Sequence, residues 1–176
     1  MTMSPRLRKF ALTAHVTSSV GWLGAVAVFL ALAVAGVTSR DAQLVRAAYL
    51  TMELTGWFVL VPLALASLLT GLVQSLGTTW GLFRHYWVLF KLLINVFATI
   101  VLLLYMQTLG SFGDVAAETT LSSDDLDVLR SPSPVLHAAA ALLLLLGATT
   151  LAVYKPRGMT PYGRRKRHER RTVSQP

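Results

Sequence analysis

Ionisable and amide side chains lie inside apolar stretches of this chain, and they are the residues that could do chemistry. His15, Gln74, Lys91 and Asn95 each lie within or at the end of an apolar run. Such groups are costly to place in a bilayer and usually mark a ligand, proton or ion site. An imidazole can bind a ligand or carry a proton, and an ammonium can pair with a carboxylate. We therefore predict one binding layer formed by these side chains, with His85 at its border.

Each of these residues also has a structural interpretation, which the sequence leaves open. His15 could hydrogen-bond a neighbouring carbonyl without binding a ligand. Lys91 could extend its ammonium to the membrane interface while its stem stays in apolar surroundings. Asn95 and Gln74 could serve as hydrogen-bond partners between helices.

A second set of residues is predicted near the opposite ends of the same helices. Glu53 and His137 fall at matching depth, where a carboxylate and an imidazole could form a structural pair. Thioether and imidazole groups also suit copper(I). The sequence therefore offers an alternative metal site, a copper site made of His137, Glu53, Met52 and Met106.

Four apolar runs must position these residues, and each is long enough to cross a bilayer as a helix. The predicted spans are 10–37, 47–76, 86–109 and 134–154. The first run has 28 residues from Phe10 to Val37, well beyond the ~7–15 of a secretory signal, so we predict an uncleaved span. The expected fold is all-α, a membrane-spanning four-helix bundle occupying residues 10–154.

Shorter signals predict the local features of these elements. Pro62 lies near the middle of the second span, where the missing backbone donor predicts a kink. Pro134 is suited to the first turn of the fourth span. The acidic connection 110–132 contains SSDDLDVLR at 122–130, whose serine and aspartate caps precede an apolar pair at helical spacing. This pattern predicts a short helix.

Charge distribution predicts the orientation. The chain has a net charge of +8, and eight of its sixteen basic residues lie between 155 and 171. Three more lie between 6 and 9, whereas the 110–132 loop is acidic. By the positive-inside rule, the basic terminus 1–9 and the tail 155–176 are cytoplasmic, giving an N-in/C-in, multi-pass protein of the cytoplasmic (inner) membrane.

The same distribution predicts the partners. Basic residues that flank apolar spans argue for a bilayer and against nucleic acid. Residues 155–171 should lie against anionic headgroups, at about 1 kcal/mol for each basic residue near the surface. A membrane protein partner or a homo-oligomer is left open. The absence of cysteine excludes disulfides, thiolate metal sites and c-type haem attachment.

Two short motifs suggest a family. His15, Trp22 and Gly24 form H-x6-W-x-G in the first span, and Trp87 and Lys91 form W-x3-K in the third. Together with LTGLVQSLGTTWG at 69–81, this combination resembles bacterial, actinobacterial-type four-helix integral membrane proteins of unknown function. It more distantly resembles HemJ-type protoporphyrinogen oxidases and the membrane domains of CopD-type copper-resistance proteins.

The resemblance implies haem b as the cofactor. His15 would be an axial ligand and Lys91 would lie beside the carboxylates of haem or substrate, with Trp22, Gly24, His85 and Asn95 nearby. The segment AVAVFLALAVAG at 25–36 departs from the HemJ pattern, which favours a non-enzymatic role. We therefore expect a small polytopic membrane protein that binds haem b within the bundle. The alternatives are a HemJ-like haem-dependent membrane oxidoreductase and a non-catalytic partner subunit or copper-handling protein.

Overall fold

Four long helical rods make up the structure, a computed structural model that describes residues 3–77, 82–118, 120, 122–156 and 158–166. The helices are α1 Pro5–Thr38, α2 Ala42–Thr55, α3 Val61–Gly77, α4 Tyr86–Ala117, α5 Ser123–Leu129 and α6 Ser133–Tyr154. A π-helical turn, Gly56–Leu60, joins α2 and α3 into one rod. The described residues contain no β-strand, and the predicted all-α four-helix bundle is confirmed.

Local sequence explains where several helices begin. The Ser4 hydroxyl accepts a hydrogen bond from the Leu7 amide, and Pro5 occupies the first turn of α1. The Asp41 carboxylate accepts from the Gln43 amide at 2.9 Å and so caps α2. Both side chains satisfy backbone donors that lack a partner at a helix start. Pro134 lies in the first turn of α6, as predicted.

The sequence predicts a kink at Pro62, and the structure has a π-helical turn directly before this residue. The Val61 amide donates to the carbonyl of Gly56, five residues back, instead of four. Pro62 has no backbone N–H and cannot continue the regular ladder. The wider turn therefore keeps α2 and α3 in one rod around the proline.

The order of packing defines a square bundle. α1 packs against α2, α3 and α6, whereas α4 packs against α2, α3 and α6 from the other side. α1 and α4 therefore lie at diagonal corners. We call the end with Ser4, Gly77, His85 and Tyr154 the terminal end, and the end with Thr38, Ala117 and Ser133 the loop end.

The outside of the bundle is apolar along all four rods. Four helical stretches are long and apolar enough to cross a membrane: Pro5–Thr38, Ala42–Gly77, Tyr86–Ala117 and Ser123–Tyr154, the last including α5. Large apolar side chains are exposed throughout, among them Phe58 at 74% and Leu143 at 70%. Surface of this kind is rare on a soluble monomer. It identifies the rods as candidate membrane spans.

The apolar core occupies the loop half of the bundle. Trp22, Tyr49, Met52 and Met106 are almost completely buried there. α5 covers this core, because the Tyr49 hydroxyl donates to the Leu129 carbonyl. The short helix predicted at 122–130 is thus confirmed as α5, which begins with a capping box formed by Ser122 and Asp125.

The described part of the C-terminal tail folds back on the terminal end. The Thr160 amide donates to the Arg84 carbonyl at 3.0 Å, and the Tyr86 amide donates to the Gly158 carbonyl at 3.3 Å. Thr160 is buried, and Gly163 sits against the Arg84 backbone. The tail therefore docks on the segment that precedes α4.

Candidate functional site

His15 of α1 is held by both nitrogens of its ring. Its Nδ1 lies 3.1 Å from the carbonyl oxygen of Ser67 and 3.2 Å from the hydroxyl of Thr70, both on α3. A carbonyl oxygen can only accept, so Nδ1 carries a proton and donates it. Only 5% of the His15 surface is exposed. The ring therefore has one orientation, in which Nε2 is the acceptor.

Lys91 of α4 supplies the partner of that acceptor. Its Nζ lies 3.0 Å from Nε2 of His15, so the ammonium donates to the ring. Because α1 and α4 lie at diagonal corners, this hydrogen bond crosses the interior of the bundle. His15 does bond a carbonyl, as its structural interpretation proposed, but Lys91 points into the bundle and does not simply extend to the interface.

Small residues let α1 and α3 approach closely at this point. A Cβ on Gly71 would lie 2.9 Å from Cε1 of His15, so the imidazole rests directly on the α3 backbone. Next to it, the Ser19 and Ser67 hydroxyls are 2.8 Å apart. The Ser18 hydroxyl donates to the Ala14 carbonyl at 2.8 Å. The polar groups of this contact are thus hydrogen-bonded within the bundle.

The four polar side chains predicted to gather in one layer do surround one cavity. It has a volume of about 100 Å³, and its lining includes His15, Gln74, Lys91 and Asn95 from α1, α3 and α4. Asn95 is buried, and its amide donates to the Lys91 carbonyl of its own helix at 3.2 Å. We expected Asn95 to form a hydrogen bond between helices, but its side-chain amide bonds within α4.

A larger cleft continues from this cavity toward the gap between α1 and α6. We call it the terminal cleft: its volume is about 670 Å³, and it is lined by His15, Trp22, Lys91 and residues of α6 such as Leu145 and Ala148. Cleft volumes of roughly 300–1,000 Å³ are typical of small-molecule and cofactor sites. Three further basic residues also line it: Arg8, Lys9 and Lys155.

The remaining residues of the predicted haem site lie apart from this contact. Gly24 is exposed, and no atom lies within 4 Å of the position that a Cβ would take there. His85 precedes α4 and forms a β-bridge with Met159 of the docked tail. Neither residue lines the cavity or the terminal cleft. Trp22 lines the cleft, about two helical turns from His15 along α1.

The second predicted set is divided between two faces of α4. The Glu53 carboxylate lies against Gly113 and fills the space that a Cβ would take there. His137 stacks on Tyr105 with ring centroids 4.0 Å apart. The predicted Glu53–His137 pair is not formed, since Nδ1 of His137 donates to the Ser133 carbonyl of its own helix while the Glu53 carboxylate lies against Gly113. The reason is that α2 and α6 contact different sides of α4.

The copper alternative stays a prediction. Met52 and Met106 are both buried in the core, and Met106 lines the same cavity as His137. Within the described ranges, no three His, Asp or Glu side chains form a group that could hold a metal ion. The Met106 thioether instead fills the space beside Gly56 of the π-helical turn.

Sequence reasoning missed the α3 residues that orient His15. Ser67, Thr70 and Gly71 have spacings of three and four, which place them on one helical face. They lie in LASLLTG at 65–71, a segment whose polar residues are all small. The signal was present, since a small polar stripe in an apolar helix predicts a close helix contact. The stripe did not indicate that its contact on another helix would be His15.

The chain matches no family model, no curated protein and no solved structure in comparisons with each of these sets. Its function is therefore inferred from the geometry of the site.

Proposed function

We propose that the protein spans the cytoplasmic membrane four times and binds haem b in the terminal cleft through His15. The exposed apolar surface of the four rods supports the membrane assignment. The terminal end has Arg6, Arg8 and Lys9, whereas Asp124 and Asp125 lie at the loop end. This asymmetry supports an N-in/C-in orientation, with the terminal end in the cytoplasm.

The observation that carries the haem proposal is the state of the His15 ring. Histidines that bind metals almost always donate their other ring N–H to a carbonyl, carboxylate or water, which fixes the ring and its tautomer. In His15, the Nδ1–H donates to the Ser67 carbonyl. Nε2 would then be the nitrogen that holds iron, and His15 lines a cleft of adequate volume.

Lys91 would have a second role in the same site. Its ammonium now donates to Nε2, and it would leave that nitrogen when iron is bound. Haem carries two carboxylates, and Lys91, Arg8 and Lys9, which line the cleft, would be their counter-charges. Haem supplies one-electron redox chemistry when bound, and His15 and the basic residues of the cleft would orient it.

The exposed basic residues of the tail support binding to anionic headgroups. Arg164, Arg165 and Lys166 are exposed, and they follow the segment that docks beside Arg84. Docking holds these charges close to the terminal end of the bundle. Each would contribute about 1 kcal/mol to attraction toward an anionic leaflet.

The experiment is the visible absorption spectrum of the protein purified in mild detergent from cells supplied with a haem precursor. We expect a Soret band that His15→Ala removes. His137→Ala is the matched control, because it removes an imidazole at the opposite end of the bundle, and we expect the band to persist. Circular dichroism of each variant confirms that the helices are intact. A colourless preparation, or a band that survives His15→Ala, would overturn the proposal.

A further inference from the structure

A second cavity lies in the loop half of the bundle. It has a volume of about 210 Å³ and is enclosed by α1, the π-helical turn, α4 and α6. We call it the loop-end cavity; its lining includes Trp22, Phe29, Phe97, Leu109 and Leu144. Well-packed interiors contain few voids larger than a water molecule. An apolar cavity of about this size stays dry and accepts hydrocarbon.

The shape of the loop-end cavity suits one extended chain. Its α4 lining runs from Phe97 to Leu109, roughly 18 Å at 1.5 Å per residue. The cavity is therefore long and narrow, parallel to the helices. Phe97 of α4 and Ala140 of α6 both line the cavity and are both exposed, so the cavity reaches the outside of the bundle between these two helices. A ligand could enter sideways from the bilayer.

Polar atoms are concentrated at the end of the cavity nearest the loop end. His137 and Tyr105 line it there, with their rings stacked at an interplanar angle of 20°. Nδ1 of His137 lies 2.9 Å from the Ser133 carbonyl, so it is the protonated nitrogen and donates. In the neutral ring, Nε2 is then the nitrogen with a lone pair. The Tyr105 hydroxyl contacts the Ser133 hydroxyl at 3.3 Å.

We propose that the loop-end cavity binds the hydrocarbon chain of a single-chain membrane amphiphile whose hydroxyl head donates to Nε2 of His137. The apolar lining accounts for the chain, and the acceptor at one end accounts for the head. A phospholipid acyl chain has no such hydroxyl donor beside its hydrocarbon. The acceptor at His137 therefore favours the single-chain amphiphile over a phospholipid acyl chain. The inference is independent of haem binding, since it uses neither His15 nor Lys91.

The test is photolabelling of the full-length protein in lipid nanodiscs with a long-chain alcohol that carries a diazirine in its chain. We expect the label on peptides of 97–109 and 137–144, mapped by mass spectrometry. Excess octadecanol should compete with the probe roughly two- to tenfold better than excess octadecane, as the loss of one hydrogen bond implies. Equal competition by the two compounds would overturn the role of His137.

Two variants test the position of the chain. Ala141→Leu fills the cavity, because Ala141 lines it. Ala139→Leu is the control, since Ala139 is half-buried on the same helix and does not line the cavity. Labelling should fall severalfold in the first variant only. Labelling that is spread evenly over the lipid-facing helices, or that is unchanged by Ala141→Leu in a folded protein, would overturn the site.

Discussion

Hydrogen bonds to its two nitrogens hold a buried imidazole in one orientation and one tautomer, and His15 has both. The Ser67 carbonyl fixes the protonated nitrogen, and the Lys91 ammonium occupies the other. The depths of His15 and Lys91 could be predicted by counting residues from the ends of the apolar runs. Their direct contact could not, because it depends on the bundle diagonal, which no single helix specifies.

Gly71→Ala should displace the His15 ring at the residue scale. The new Cβ would lie 2.9 Å from Cε1, so the ring must move and the bond to the Ser67 carbonyl weakens. Histidine-selective ¹⁵N NMR of the haem-free protein measures this through the His15 ring nitrogens. Gly147→Ala is the control, since nothing lies within 4 Å of a Cβ there. Unchanged His15 resonances in Gly71→Ala would contradict the close contact between α1 and α3.

The helices themselves follow from composition, because each apolar run is long enough to form a span. The points where helices begin, end or change geometry depend on tertiary contacts, which the sequence of one apolar run does not specify. Pro62 predicted a kink, but the sequence did not indicate the π-helical turn before it, in which Gly56 lies against Met106. α4 continues to Ala117, beyond the predicted end of the third span at 109. Its last turns pack against α2 and α5.

The docked tail gives a prediction at the element scale. A Cβ on Gly163 would lie 2.5 Å from the Arg84 carbonyl oxygen, and backbone cannot easily yield. Gly163→Ala should therefore undock the tail and speed hydrogen exchange of the Thr160 amide, which donates to the same carbonyl. Hydrogen–deuterium exchange with mass spectrometry measures the peptide that contains it.

Gly158→Ala is the matched control for this prediction. Its Cβ would make an ordinary contact of 3.6 Å with the Tyr86 ring, so exchange at Thr160 should stay slow. If both variants exchange like the unsubstituted protein, the tail is not held by this contact.

The buried polar and the buried apolar side chains of the molecule lie in different halves of the bundle. Buried polar side chains lie mainly in the terminal half, where His15, Ser67 and Asn95 surround a cavity. The loop half holds the apolar core and the loop-end cavity. Trp22 lines both the terminal cleft and the loop-end cavity, so it separates the polar half from the apolar half. The fold class could be predicted from sequence, but this partition required the packing of all four rods.

Orientation is tested at the same scale with alkaline phosphatase fusions in a bacterial host, because this enzyme is active only outside the cytoplasm. A fusion after Pro176 should be inactive, whereas a truncated fusion after Ser122 should be active. The charge asymmetry between the two ends is the physical reason. The reverse pattern would place both termini outside and contradict the proposed topology.

The most direct measurement of the central claim is a titration of haem into the purified, haem-free protein, followed by Soret absorbance. We predict saturation at one haem per chain. The affinity for haem should be at least about tenfold lower in His15→Ala, because removal of even a supporting group of a metal ligand lowers metal affinity by about that factor. His137→Ala should bind like the unsubstituted protein. Equal affinity in the unsubstituted protein and His15→Ala would contradict the account.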